Sequence, residues 1–482
     1  MYLPQIVLII IGLSAIIIWF FAGYQRTQAK DERPTLPAIL LALWIIAGTI
    51  FGRNFYVLHL AGFFDIDLER LLFLIIILFL VMGFFQKEVR FQKNVSIELA
   101  MGAYALVCIV SMIRVGFVPV APEFSSPWFT FITGYLFPFI VFIFAKNYIS
   151  REKDVTLILH ALFYFGIYLS ITAFFEYTNL RQFVFPRYIA DPEVGIHWDR
   201  ARGPFLNAAF NGVGILIGFI SGLHLLQKKT GVARVFYQAA LLLFFPAVFF
   251  TLTRSVYLGL LITLFIFLRW YKTSISKWKL ISLPLAVILI VGIANSPRLL
   301  SSERREGGVA QVGEVEIRMA LLKRSIFLFS EQPFTGIGLA QFVPVSVRSY
   351  KGPVYAIEEY ARDTFQHNHL LAIAAELGIP GLLTYLTLIA LILWRLKQLA
   401  GKFTGTGIMG DNLRIAIFAI WCVYLDNNLF VEPAHSIFVN SVPFLFAGLA
   451  DGLYTRSLES GLASRSAVRT LQSPMRIMNS HV

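Results

Sequence analysis

The sequence predicts an all-α, polytopic membrane helix bundle of about 12–13 spans with one large extracytoplasmic loop. Three observations lead there. Hydrophobic residues make up 57% of the 482 and charged residues only 14%, with a mean hydropathy of +0.71, which excludes a soluble globule with an ordinary surface. Apolar stretches of roughly 16 to 25 residues recur along the chain, and each can cross a hydrocarbon core about 30 Å thick as a helix. Short basic segments follow pairs of these stretches, as in loops held on the cytoplasmic side.

The first run, 4–22, has no basic residue in front of it and no small-residue cleavage site, so it predicts a retained helix and not a signal peptide. Arg26, Lys30 and Arg33 behind it put the N-terminus outside. Runs 37–53, 70–86, 97–116, 128–145, 155–175 and 204–226 follow. The pair 236–251 and 255–269 is short, with one long tilted helix as the alternative; 279–295, 368–394, 412–430 and 435–454 complete the set. The basic groups expected in the cytoplasm are Lys87/Arg90/Lys93, Lys146/Arg151/Lys153, Lys228/Lys229/Arg234, Arg269/Lys272/Lys277/Lys279, Arg395/Lys397/Lys402/Arg414 and the tail with Arg456, Arg465, Arg469 and Arg476. Most of the net charge of +13 sits there, so it calls for no nucleic-acid partner. Cys108 and Cys422 lie inside apolar runs and read as reduced packing residues, which excludes a disulfide framework. The chain divides into a bundle over 1–295, an outer loop over 296–366, further helices over 367–454 and a cytoplasmic tail over 455–482.

Within the outer loop, Ser301 to Gln311 is charged and reads as mobile, while Glu314 to Phe329 has helical apolar spacing. Arg318, Lys323 and Arg324 on that largely apolar body predict a helix lying on the membrane surface. Pro333, Gly336 and Gly338 then end it in a turn. A loop of this length between spans is usually a lid or a binding element.

On this map Arg202, Arg254, Arg318 and His367 share the outer side. Interfacial arginines are costly unless paired or facing a wet cavity, and their planar donor forks suit phosphate oxygens. Arg254 stands among Phe249, Phe250, Tyr257 and Leu258 with no acidic residue nearby in sequence, so an anion is expected to meet it; capping of a tight turn or snorkelling is the plainer reading. Arg202 precedes a span that opens with Asn207 and Asn211, and an interfacial anchor paired with Asp199 or with headgroup phosphate is its plainer reading. His367, with an ordinary pKa of about 6.5, suits a general base, and Asn368 suits the orientation of a sugar or of a neighbouring carbonyl. His367 and His369 point to opposite sides of a helix, a poor basis for a shared metal. Asp65-Ile-Asp67 offers a divalent-ion alternative, against a solvated turn with Glu69 and Arg70.

Four segments in order carry a resemblance. They are Arg202-Gly-Pro-Phe-Leu-Asn207, Thr251-Leu-Thr-Arg-Ser255, Arg318 with Pro333-Phe-Thr-Gly-Ile-Gly338 and Phe342, and His367-Asn368 with Leu371, Glu376, Gly378 and Gly381. Together the chain resembles the O-antigen ligase and polymerase family of bacterial integral membrane glycosyltransferases. That resemblance implies a GT-C-like fold in the bacterial inner membrane with its active site on the outer face. It implies an inverting, metal-independent enzyme with no cofactor, an undecaprenyl-pyrophosphate-linked glycan as donor, and a glycan or lipid A core as acceptor. By the same carry-over Arg202, Arg254 and Arg318 bind pyrophosphate, His367 deprotonates the acceptor, and Asn207, Asn368 and Glu376 orient sugar. Ser255 departs from the glycine expected after the turn arginine, and the N-terminal third adds at least one span. The rivals are a metal-dependent lipid-linked glycosyltransferase using Asp65 and Asp67, and a polysaccharide or lipid exporter. Against the exporter, the candidate charges gather on one side and no paired repeats are visible. Polymerase, ligase and protein acceptor stay open.

Overall fold

Proline and capping side chains set where several of the helices begin. The computed structural model describes residues 33–59, 65–86, 95–121, 124–272, 293, 312–349, 364–402 and 407–472. Pro37 opens α1 (Leu36–Gly48), whose second half is a π turn. Asp67 caps α2 (Leu68–Phe85) by accepting from the Arg70 N–H at 2.8 Å. α3 (Ser96–Val115) ends at Gly116, and Pro127 opens α4 (Pro127–Tyr148). α5 (Glu152–Tyr177) leads to a loop of short 3-10 turns, after which Asn207 caps α6 (Ala208–Leu226) through the Ala209 and Phe210 N–H groups.

The apolar run that sequence left as one tilted helix or two is two: α7 (Gly231–Phe250) and α8 (Arg254–Trp270). Thr251 folds its hydroxyl back onto the Val248 carbonyl, Leu252 takes φ +46°, and Thr253 bonds to the Thr251 carbonyl, so the chain reverses. Beyond come α9 (Val312–Glu331), α10 (Phe342–Ser349), α11 (His369–Gln398), α12 (Asp411–Asn428) and α13 (Ile437–Gln472). Eight of these helices are long and apolar enough to cross a membrane, and α1, α8 and α12 occupy three further expected spans. The protein is therefore a polytopic helical membrane protein; among the described residues the strand content is a two-residue ladder, Leu58–His59 with Asp65–Ile66. The expected spans 4–22 and 279–295, Ile293 excepted, and the segment Ser301 to Gln311 fall outside the described residues. Both cysteines are free, as expected.

α6 is the hub. All of its residues are buried, between α5, α7, α8 and α12. A Cβ on Gly218 would come within 2.7 Å of the Gly166 Cα, so the α5 and α6 backbones touch, a close approach that small residues permit without lipid-excluded voids. One end of the bundle gathers the basic groups. There Lys146 pairs with Glu98 and, at 2.7 Å, with Asp451, which Arg395 also meets at 2.5 Å. Lys228 pairs with Glu152 at the same end. The opposite end holds the loop after α5, the α7–α8 turn, the α9–α10 connection, the start of α11 and the turn 429–436.

α9, expected to lie on the membrane surface, packs one face against its neighbours and leaves Met319, Ile326 and Phe327 exposed. Its Leu321 and Leu328 are buried in a cluster with Phe342 and with Ala375 of α11. A one-sided apolar helix suits a lipid surface or a neighbouring helix equally in sequence, and here α11 supplies the neighbour.

Candidate functional site

Two of the sequence motifs interlock. α11 breaks at Gly378, whose φ of +66° and ψ of −163° are non-helical, and Pro380 beyond it has no N–H to give to the Glu376 carbonyl. The connection after α9 takes up what the break releases. Gly338 donates to the Glu376 carbonyl at 2.9 Å, Ile337 to the Ala375 carbonyl at 2.9 Å, and Ile379 donates in turn to the Pro333 carbonyl at 2.8 Å. The backbones run so close that a Cβ on Gly336 would meet the Glu376 oxygen at 2.2 Å. Arg114 of α3 clasps the Thr335 and Gly336 carbonyls, and Ser111 accepts from Leu339. The Glu376 carboxylate accepts from the Ala340 and Phe342 N–H groups at 2.9 and 3.1 Å, which holds the start of α10. Both its oxygens thus serve the loop, while sequence had given Glu376 to sugar orientation.

His367 sits just ahead of α11 in the left-handed region, φ +52°, an uncommon conformation for a residue with a Cβ and one that a surrounding scaffold must impose. Asn368 provides that scaffold. Its side-chain oxygen accepts from Leu371 at 3.0 Å and its amide donates to the Leu429 carbonyl at 3.2 Å, so it caps α11 and ties it to the end of α12. Phe430, the next residue, lies under the Arg318 guanidinium, 5.5 Å from ring centroid to Cζ. His369 turns inward, buried between the rings of Tyr135 and Tyr385. The arrangement therefore brings the His367 segment and Arg318 to one turn, and separates His367 from His369.

Arg202 is placed differently from its sequence expectation. Fully buried, it donates to the carbonyls of Ile189 (3.1 Å), Asp191 (2.5 Å), Val194 (2.6 Å) and Ile196 (3.3 Å), so it braces the loop after α5. Arg181 and Arg202 both lie against the Trp198 ring, with Cζ at 3.5 and 4.9 Å. Burial draws both guanidinium pKa values down, and the nearby Glu176 carboxylate opposes that shift. Glu176 also accepts from the Arg202 and Gly203 N–H groups. The pairing of Arg202 with Asp199 gives way to this cage. Asn207 is a helix cap, and Asn211 donates to the Ala201 carbonyl. Ala201 in turn donates to the Phe250 carbonyl, which sets this loop beside the α7–α8 turn. Arg254, exposed, is the first residue of α8 at that turn.

Asp67, expected in a solvated turn or on a metal, is buried as the α2 cap and pairs with Arg70 at 3.4 Å. Among the described residues no three His, Cys, Asp or Glu side chains are grouped to hold a metal ion. A cavity of about 290 Å³ opens between the start of α4, the α9–α10 connection and the turn 429–436, with Phe342, Phe365, Glu376, Glu432 and His435 on its walls. Sequence reasoning passed over Glu432, His435, Arg114 and Glu176. The last had a visible signal, a carboxylate inside a long apolar run.

A many-span helical membrane protein whose large loop is stitched to a broken helix at one end of the bundle is the class these features define. Residues 239–386 match the O-antigen ligase family model, which supports membership of the chain in that family. The match starts in α7 and ends in α11, so it takes in Arg254, Arg318, both interlocked motifs and His367. No curated protein matches the sequence significantly.

Proposed function

We propose that the protein is an inverting, metal-independent glycosyltransferase that moves a glycan from undecaprenyl pyrophosphate to an acceptor hydroxyl in cell-envelope polysaccharide assembly. The family match supports glycan transfer of the O-antigen ligase type in general. The observation that carries the finer reading is the turn at Leu429 and Phe430, to which the His367 segment is tied by Asn368 and over which Arg318 is stacked. A base and a guanidinium fixed to the same turn suit attack and departure across one anomeric carbon.

In this reading His367 takes the proton of the acceptor hydroxyl as its oxygen bonds to the anomeric carbon. The bond from that carbon to the lipid pyrophosphate breaks, and its electron pair leaves with the pyrophosphate. Arg254 and Arg318 stabilise the departing charge, which fixed guanidiniums do without a divalent ion. Arg202 acts as a positioning residue, holding the loop beside the Arg254 turn. Asn368 and Glu376 position the His367 segment and the α9–α10 connection. Glycan and lipid-linked partners within the bilayer follow from the family, and the bundle end opposite the basic groups is the outer face by the positive-inside rule.

Purified protein incubated with undecaprenyl-pyrophosphate-linked glycan and either a second lipid-linked glycan or lipid A core is expected to yield the extended acceptor, identified by mass, with EDTA present throughout. Loss of product on chelation and its return with Mg2+ would sink the metal-independent reading.

A further inference from the structure

We propose that Glu432 and His435 form the subsite that holds a neutral sugar residue of the acceptor glycan, a reading that rests on glycan transfer as the function. The pair lies on the turn between α12 and α13, outside the residues that match the family model. Glu432 Oε2 stands 3.5 Å from His435 Nε2, and Glu432 Oε1 is buried with no hydrogen-bond partner among the described residues. The Glu432 carboxylate is thus sparsely bonded, and a ligand hydroxyl at the cavity wall supplies a donor to the side chain. The second carboxylate on the cavity wall, Glu376, already accepts two backbone N–H groups, so Glu432 is the acceptor left to a ligand.

The cavity's other walls have the complementary chemistry. Phe365 packs on the His435 ring at 4.6 Å between centroids, and its exposed ring offers flat apolar surface to the C–H face of a pyranose, whose hydroxyls lie around its edge. About 290 Å³ is at the lower limit of ligand cavities, near about 300 Å³, which limits the occupant to a small one. The described lining has two carboxyl groups and neither arginine nor lysine, so the cavity suits the uncharged partner of the reaction better than a pyrophosphate. His435 also borders a second cavity, of about 160 Å³, with Arg53, Asn54 and Tyr188 on its far side.

Binding of radiolabelled methyl glucoside, methyl galactoside and methyl N-acetylglucosaminide to the full chain in detergent, together with undecaprenyl pyrophosphate as a separate probe, tests the assignment. Saturable binding of at least one glycoside is expected. Glu432→Gln should weaken it about tenfold, the difference between a charged and a neutral hydrogen-bond acceptor. His435→Ala, an exposed position with little risk to folding, should weaken it as well, and undecaprenyl pyrophosphate should bind both variants as it binds the wild type. The proposal is overturned if none of the glycosides saturates, if both variants keep wild-type affinity, or if undecaprenyl pyrophosphate binding falls by the same factor. A wild type that binds the glycoside through Glu432 yet transfers no glycan overturns the transfer reading and leaves the subsite standing.

Discussion

The two ends of the bundle treat their cations in opposite ways. At the basic end Lys146 and Arg395 are buried and share Asp451, with Glu98 as a further partner of Lys146, so charge is balanced by charge. At the other end Arg202 is balanced by four carbonyls and an indole face, Arg114 by two carbonyls of the docked loop, while Arg254 and Arg318 are exposed. Ion pairs close the first end as structure. At the second, backbone carbonyls hold the buried guanidiniums, and Arg254 and Arg318 stand at the surface.

The sharpest way to break this comparison is His367→Ala. Transfer should fall by about 10²- to 10⁴-fold, the worth of a positioned general base, with the melting temperature and binding of lipid-pyrophosphate donor unchanged. Retained transfer would remove the base. At the basic end Asp451→Asn should instead cost about 3–5 kcal/mol of stability by leaving Arg395 buried and without a carboxylate and Lys146 with Glu98 alone, seen as early unfolding in a thermal melt with activity per folded molecule preserved. A melt like the wild type's would show that the buried cluster is not what closes that end.

Arg254→Lys keeps the charge and loses the planar fork, so turnover should drop about tenfold or more with the fold intact; an unchanged rate would return Arg254 to an anchoring role. The smallest effect is expected for Lys228→Ala. Its pair with Glu152 is almost half exposed on both sides, and the melting curve should move by no more than about 0.5 kcal/mol.

Hydropathy made the spans legible because lipid exposure and helix burial both demand apolar residues, and the Thr251-Leu-Thr253 reversal was visible as a polar interruption. The interlock was half visible. Pro333 to Gly338 and Glu376 to Gly381 each read as a turn or a break, but backbone hydrogen bonding between segments some forty residues apart leaves no mark on side-chain pattern. The setting of Arg202 was hidden for a related reason, since sequence displays the guanidinium and not the carbonyls of Ile189 to Ile196 that receive it. Glu432 and His435 sit in an ordinary polar turn and gain meaning only from the cavity they border.

The enclosure of α6 also bears on how the chain is made. A helix whose every residue is buried has no lipid-facing side in the finished molecule, yet it leaves the ribosome long before α12, one of the walls that cover it. Until residues 411–428 are synthesised and inserted, one flank of α6 faces lipid or an insertion chaperone. Nascent chains halted before residue 411 are therefore incomplete at the centre of the bundle, and such intermediates are the natural clients of membrane quality control.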